Sequence, residues 1–141
     1  MPELPEVEIV KQSLKKSVKF KKIYDVKINN RNLRYKINKN LKKNIINKKI
    51  IDISRKSKYL IINFKNNKYL LIHFGMSGTL HYVKNNNLTK TNLSFYHSLD
   101  LPIKHNHIYF IFNNFKVIYN DPRRFGFVKY FNSKKKLSFF C

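Results

Sequence analysis

The sequence predicts an α+β fold that is mostly β: an antiparallel β-sandwich with an N-terminal α-helix. Three observations predict it. Apolar residues recur at spacings of three and four over the first eighteen positions. From residue 20 onward, short runs of Ile, Tyr, Leu and Phe are separated by Asn-rich turns. Hydrophobic residues make up 43% and aromatics 15% of 141 residues, enough to bury the core of one domain.

The helix comes first. Leu4, Val7, Val10, Leu14 and Val18 mark one face of it. Pro5 suits an early helical position, and Glu6 and Glu8 suit the positive end of the helix dipole. The opening "MPELPEVE" holds three of the seven carboxylates in the chain. A helix start accounts for Pro5, Glu6 and Glu8 but gives no reason for Pro2 and Glu3, which precede the helix. The sharper reading is a chemical role for the terminus itself.

The strands follow. "KKIYDVKINN" alternates over a short span, and "KKIIDISRKSKYLIINF" and "NKYLLIHF" have strand-like length and composition, with Asn66-Asn67 as a hairpin turn between the last two. "NLRYKINKNLKKNIIN" fits either a short helix or irregular structure. Residues 84 to about 104 turn polar, with "KNNNLTKTN" as the least structured part. "HNHIYFIF", "FKVIYN" and "FGFVKYF" give three further strands, the first two joined through Asn113-Asn114. One helix against a largely antiparallel sheet or sandwich is the economical architecture. Residues 1–131 are expected to form the domain, and "NSKKKLSFFC" (132–141) reads as the start of a linker.

Composition narrows the function classes. No run approaches the roughly 18 apolar residues of a membrane span, and the acidic N-terminus does not read as a secretory signal. Cys141 is the only cysteine, which leaves no internal disulfide framework and no cysteine-based zinc site within the chain. A cytoplasmic location is the default expectation. The 25 Lys and 5 Arg against seven acids give a net charge of +23. So lopsided a balance points to a polyanion partner, with nucleic acid the usual one. The same crowding of Lys, Asn and Ile, with no Ala or Trp, is also what an AT-rich coding sequence produces.

The three glycines are more informative. Gly75 and Gly78 lie in "HFGMSG", and Gly126 lies in "DPRRFG". They fit either functional loops that need close backbone approach or tight turns between strands. Around them sit His73 and Met76, then Arg123, Arg124 and Phe125. An arginine beside an aromatic can enter a duplex and unstack a base step; Phe125 equally fits a core position.

Taken in order, "MPELPEVE", "RKSKYL", "HFGMSG", "KHNH" and "YNDPRRFG" resemble the N-terminal domain of the formamidopyrimidine-DNA glycosylase family, bacterial base-excision repair enzymes acting on oxidised purines. The resemblance runs from Met1 to about Phe131. It implies a bifunctional DNA glycosylase/AP lyase that excises 8-oxoguanine and formamidopyrimidines and cleaves the strand by β,δ-elimination. Pro2, freed by removal of Met1, would be the nucleophile. Glu3 would be the acid and proton shuttle at the sugar, Glu6 would assist, and Lys58 would contact phosphate and serve β-elimination. Met76, Arg123 and Phe125 would fill the space of the flipped base, Arg123 facing the opposite base, while His73 and His105 would touch DNA.

The resemblance also implies what lies beyond this chain. Family members are about twice as long, with a helix–two-turn–helix element and a four-cysteine finger that binds one zinc ion. The chain itself is expected to need no cofactor. The implied partner is double-stranded DNA with oxidised bases or abasic sites, met by a monomer in the bacterial cytoplasm at the nucleoid, with no membrane. A separate chain supplying the C-terminal half is the alternative to a monomer. The competing function is a truncated DNA-binding domain of weak or lost activity. An unrelated lysine-rich RNA-binding protein would leave the N-terminal motif and the glycine placement unexplained.

Overall fold

The computed structural model describes residues 4–84, 93–94 and 104–141. Helix α1 spans Leu4–Val18 and buries Val7, Val10, Leu14 and Val18. Leu4, expected on the same face, is exposed because it lies at the helix start. Lys15 and Lys16 in the last turn suit the negative end of the helix dipole. The helix stops where Phe20 takes a left-handed conformation, φ 68°. There the Phe20 N–H leaves the helix and donates to the Ile50 carbonyl at 2.6 Å.

Two antiparallel sheets form the sandwich. One has the order β2 (Ile50–Lys56), β3 (Tyr59–Phe64), β4 (Lys68–His73), β9 (Phe127–Phe131). The other runs β1 (Asp25–Ile28), β7 (Asn106–Ile111), β8 (Phe115–Asn120), β5 (Thr79–Lys84), β6 (Leu93–Ser94). This is the α+β sandwich with an N-terminal helix that the sequence predicts. Asn66 and Asn67, both left-handed, turn β3 into β4, and Asn114, also left-handed, helps turn β7 into β8. Asparagine tolerates that conformation better than most residues, so these turns were readable. The ambiguous stretch after Asn32 holds a short helix, α2 (Leu41–Ile45), inside otherwise irregular chain.

Pleating sends alternate residues to opposite faces. Leu60, Ile62 and Phe64 of β3, with Leu70 and Ile72 of β4, enter the core between the sheets, where they join Phe110, Val117 and Tyr119. Helix α1 lies along β2 and adds its apolar face to the same core. On the outer face, Ile61, Tyr69, Leu71, Phe127 and Phe131 are covered by Leu137 of α3 (Lys134–Phe140). Burial on both faces is why β4 reads as a nearly unbroken apolar run.

Two elements differ from the sequence reading. Strand β5 was not anticipated: Leu80 and Tyr82 face the core, but the other face carries Thr79 and buried His81 beside Val83, so the run does not read as apolar. Helix α3 occupies 134–140, where a linker was expected, with Ser133 as its N-cap accepting from the Lys136 N–H at 3.2 Å. Most of the polar stretch 84–104 lies outside the described residues.

Candidate active site and nucleic-acid interface

Both glycine-bearing segments cross from one sheet to the other at the same end of the sandwich. Residues 74–78 lead from β4 to β5, and 121–126 lead from β8 to β9. Gly75 sits at φ +58°, and a Cβ there would lie 2.5 Å from the Gly126 nitrogen. A Cβ on Gly126 would meet the Tyr119 hydroxyl and the His73 carbonyl. The close approach these glycines permit is therefore of one loop to the other.

A buried carboxylate joins the loops. Asp121 is fully buried. Its Oδ1 accepts the Ser77 hydroxyl at 2.6 Å and the Arg124 N–H at 3.1 Å. Its Oδ2 accepts the Gly126 N–H at 2.9 Å and the Tyr119 hydroxyl at 3.0 Å. Ser77 Oγ in turn accepts the Arg123 N–H at 3.0 Å. The Asp121 main chain is held too: its N–H donates to the His105 carbonyl at 3.1 Å, and its carbonyl lies 2.7 Å from His107 Nε2. Sequence reasoning quoted "YNDPRRFG" but did not single out Asp121; the available signal was the scarcity of acids, seven in the chain.

On this platform stand three exposed side chains. Met76 is 52% and Phe125 46% accessible. The Arg123 guanidinium lies over the Phe125 ring, 5.3 Å from its centroid, and its Nη1 is 4.0 Å from Met76 Sδ. Phe125 is thus outside the core, and the three residues form one projecting cluster.

His73 and His105 belong to the same end in different ways. His105 is exposed, with φ +70°, and its carbonyl is tied to Asp121. His73 is buried; its Nδ1 accepts the Gly75 N–H at 3.1 Å, and its ring stacks on Phe127 at 5.3 Å. Burial pushes its pKa below the ordinary histidine value, and the cationic Arg34 and Lys58 push the same way. Arg34 is fixed there by its own N–H, which donates to the Gly126 carbonyl at 3.1 Å.

Lys58 is half-buried in the β2–β3 turn, after left-handed Ser57. Arg55 braces this turn, donating from Nη1 to the Ser57 carbonyl at 2.9 Å. Its Nε donates to Glu8 Oε1, also at 2.9 Å. Arg55 first, then Lys11 and Gln12, hold the Glu8 carboxyl down at a pKa of about 2. Glu8, read from sequence as a helix residue, thereby pins the first turns of α1 beside the turn that carries Lys58. Glu6 is half-buried in the first turn of α1. Pro2 and Glu3 lie outside the described residues, directly before that turn.

The zinc implied by the resemblance has no fitting donors here. Among the described residues no group of three or more His, Cys, Asp or Glu could hold a metal ion, and Cys141 is the only cysteine in the chain. No described helix is long and apolar enough to cross a membrane.

Comparison with known proteins agrees with this architecture. The family described as the formamidopyrimidine-DNA glycosylase N-terminal domain matches residues 1–128. The formamidopyrimidine-DNA glycosylase of Wolbachia pipientis subsp. Culex pipiens (strain wPip) is 43% identical over 141 residues, covering 99% of this chain and 47% of the relative. That of Rickettsia bellii (strain OSU 85-389) is 42% identical over 135 residues, covering 95% and 45%. The Lactococcus lactis Fpg in complex with abasic-site DNA superposes with a TM-score of 0.79 at 30% identity, over 99% of this chain and 46% of that one. The wild-type Lactococcus lactis enzyme bound to DNA containing an oxidised pyrimidine gives 0.80 at 31%, over 99% and 47%. The chain spans about half the length of these relatives. Through residues 1–128, the chain belongs to the formamidopyrimidine-DNA glycosylase family.

Proposed function

We propose that this chain is the catalytic half of a bifunctional DNA glycosylase/AP lyase that excises oxidised purines, 8-oxoguanine and formamidopyrimidines, from duplex DNA. The observation that carries the reading is the cluster of Met76, Arg123 and Phe125, exposed together on a buried carboxylate platform. Taking a base out of the stack costs a few kcal/mol. An apolar wedge with a guanidinium beside it offsets part of that cost by filling the vacated space.

The covalent chemistry falls to Pro2. An α-amino group has a pKa near ~7.8, against ~10.4 for lysine, so much more of it is neutral at cellular pH. Once Met1 is removed, the Pro2 nitrogen lone pair attacks the sugar C1′. The C1′–base bond breaks, and its electron pair leaves with the base, which takes up a proton. Opening of the sugar then places an electron pair on its ring oxygen, which Glu3 protonates. The attacking Pro2 nitrogen gives up its one N–H proton to solvent and has no second one to lose, so the Schiff base that forms as the C1′–ring-oxygen bond breaks is an iminium of fixed charge. The iminium acidifies the C2′ proton; its loss expels the 3′ phosphate, and a second elimination expels the 5′ phosphate. Lys58 contacts phosphate and serves the first elimination, and Glu6 assists near Glu3. His73 and His105 touch the DNA at this same end.

In this reading residues 1–131 are the catalytic unit, acting as a monomer in the bacterial cytoplasm at the nucleoid. The zinc of longer family members takes no part in any step assigned to this chain.

Borohydride trapping on duplex DNA with a single abasic site tests the reading. Reduction converts the iminium to a stable amine, and mass spectrometry locates it. An adduct on Pro2, absent in a form that retains Met1, is the expected result. No adduct on a chain with a processed N-terminus and intact DNA binding would replace this reading with that of a binding domain without turnover.

A further inference from the structure

The end of the sandwich opposite the wedge carries a second feature that the glycosylase reading does not use. Chain segments 19–24, 46–50 and 65–68 and the Asn113–Asn114 turn meet there. They are stitched by main-chain hydrogen bonds: Phe20 N–H to the Ile50 carbonyl, Ile50 N–H to Lys21 at 2.9 Å, Asn47 N–H to Ile23 at 2.7 Å, and Lys65 N–H to Lys49 at 3.0 Å. These bonds hold Lys21, Lys22, Lys48, Lys49 and Lys65 on a fixed backbone rather than on a loose tail. None of these segments contains an Asp or Glu. The nearest acids in sequence are engaged elsewhere, Asp25 with Lys42 at 2.9 Å and Asp52 with Lys15 at 3.1 Å. Two open concavities, of about 470 and 440 Å³, share Lys22 and Lys49 in their walls.

Two aromatics interrupt this basic surface. Phe20 is 61% and Tyr24 55% accessible, and both line the larger concavity. Phe20 is the less expected. A phenylalanine at φ 68° is conformationally costly. Its ring stays largely exposed, and two ammonium groups lie over it, Lys19 at 5.0 Å and Lys49 at 5.6 Å from its centroid. Exposed rings set among fixed cations are the arrangement on which unpaired bases stack while lysines follow the phosphates.

We propose that this end is a second nucleic-acid site, binding a single strand by its phosphates through Lys21, Lys22, Lys48 and Lys49 and by its bases through Phe20 and Tyr24. A strand of six residues is about 20 Å long, so the wedge and this site lie at opposite ends of the molecule and meet different stretches of nucleic acid. The proposal stands independently of Schiff-base chemistry at Pro2.

The test uses the full chain with Met76, Arg123 and Phe125 changed to alanine, which weakens the wedge end. Binding of short single-stranded DNA and RNA oligonucleotides is measured across a salt series, with a polyglutamate peptide as competitor. Adding Lys21→Gln, Lys22→Gln, Lys48→Gln and Lys49→Gln is expected to weaken the remaining binding about tenfold or more. The slope of log affinity against log salt should fall by about 0.7 for each phosphate contact removed. Oligonucleotides bearing 5-iodouracil should crosslink to Phe20 or Tyr24. The DNA and RNA arms decide which strand is preferred.

Phe20→Gly is the second variant, because glycine accepts the left-handed conformation and keeps the fold. It should leave melting unchanged or raised and still weaken single-strand binding. In the otherwise unaltered chain, the lysine changes should leave borohydride trapping at an abasic site as it was. Remaining binding that ignores both the lysine changes and Phe20→Gly would overturn the proposal. So would polyglutamate binding as tightly as the oligonucleotides, which would make the surface a site for acidic protein instead.

Discussion

The Ser77 hydroxyl donates to the Asp121 carboxylate at 2.6 Å, and this one bond joins two loops 44 residues apart in sequence. The same carboxylate fixes Arg124 and Gly126, so it sets the spacing between Met76 on one loop and Arg123 and Phe125 on the other.

Asp121→Asn should therefore damage stability and DNA handling together. The amide keeps the shape but turns a donor toward at least one of four donors. A hydrogen bond to a charged group contributes about 1.5–3 kcal/mol, so a loss of about 2 kcal/mol is expected. At this chain length that lowers the melting temperature by roughly 7 °C. Ser77→Ala should cost about half as much. A calorimetric scan of both variants checks the order; an unchanged melting temperature for Asp121→Asn would mean the platform does not hold the loops.

Arg123→Ala and Phe125→Ala should separate folding from function. Both side chains are exposed, so each substitution should stay within about 0.5 kcal/mol of the parent stability. Under the proposed function, binding to lesion-bearing duplex should fall about tenfold or more, because the cluster would no longer offset the cost of unstacking. Parallel melting and gel-shift measurements decide it, and equal affinity for the parent and both variants would count against the wedge.

Glu8 gives an acid-sensitive contact. Its folded pKa is depressed, from the ordinary 4.5 to about 2, by Arg55 and then by Lys11 and Gln12. A carboxyl with a lowered folded pKa contributes stability above its unfolded pKa and loses it as pH falls toward the folded value. Melting temperature should thus decline between about pH 4.5 and pH 2, and Glu8→Gln should flatten that decline. Identical acid limbs for the two proteins would show that the Arg55 contact carries no stability.

His73 should titrate below the ordinary histidine value of 6.5, because burial, Arg34 and Lys58 all oppose its charge. Its neutral Nδ1 accepts the Gly75 N–H, a bond that protonation would break. The sign follows: the contribution is present above pH 6.5 and is lost as pH falls through the lowered folded value. Proton NMR of the His73 ring gives the midpoint, and a value at or above 6.5 would contradict the burial argument.

Much of this architecture was legible because local signals and tertiary demands agreed. The spacing of Val7, Val10, Leu14 and Val18 named the buried face of α1, and the Asn-Asn pairs named two strand connections. Strand β5 was obscured because buried His81, 2.8 Å from Thr79 Oγ1, puts a polar residue on the face opposite Leu80, where both faces of the strand are covered. Helix α3 was not marked in the sequence because only Leu137 of its seven residues is buried. Asp121 was invisible for another reason. Its four donors come from Ser77, Tyr119, Arg124 and Gly126, and no local periodicity marks a residue whose role is set by that convergence.

The route of the two wedge loops has a consequence for how this domain tolerates change. Because both pass from one sheet to the other, the gap between the sheets acts as a gauge for the tool at its rim. Phe74 and Tyr119 fill that gap directly beneath, their rings 6.4 Å apart. Close-packed interiors transmit small volume changes rather than absorbing them. Under the proposed function, core variants near this pair should then surface as altered lesion discrimination before they surface as unfolding, whereas the lysine-rich exterior can drift with base composition and leave the gauge untouched.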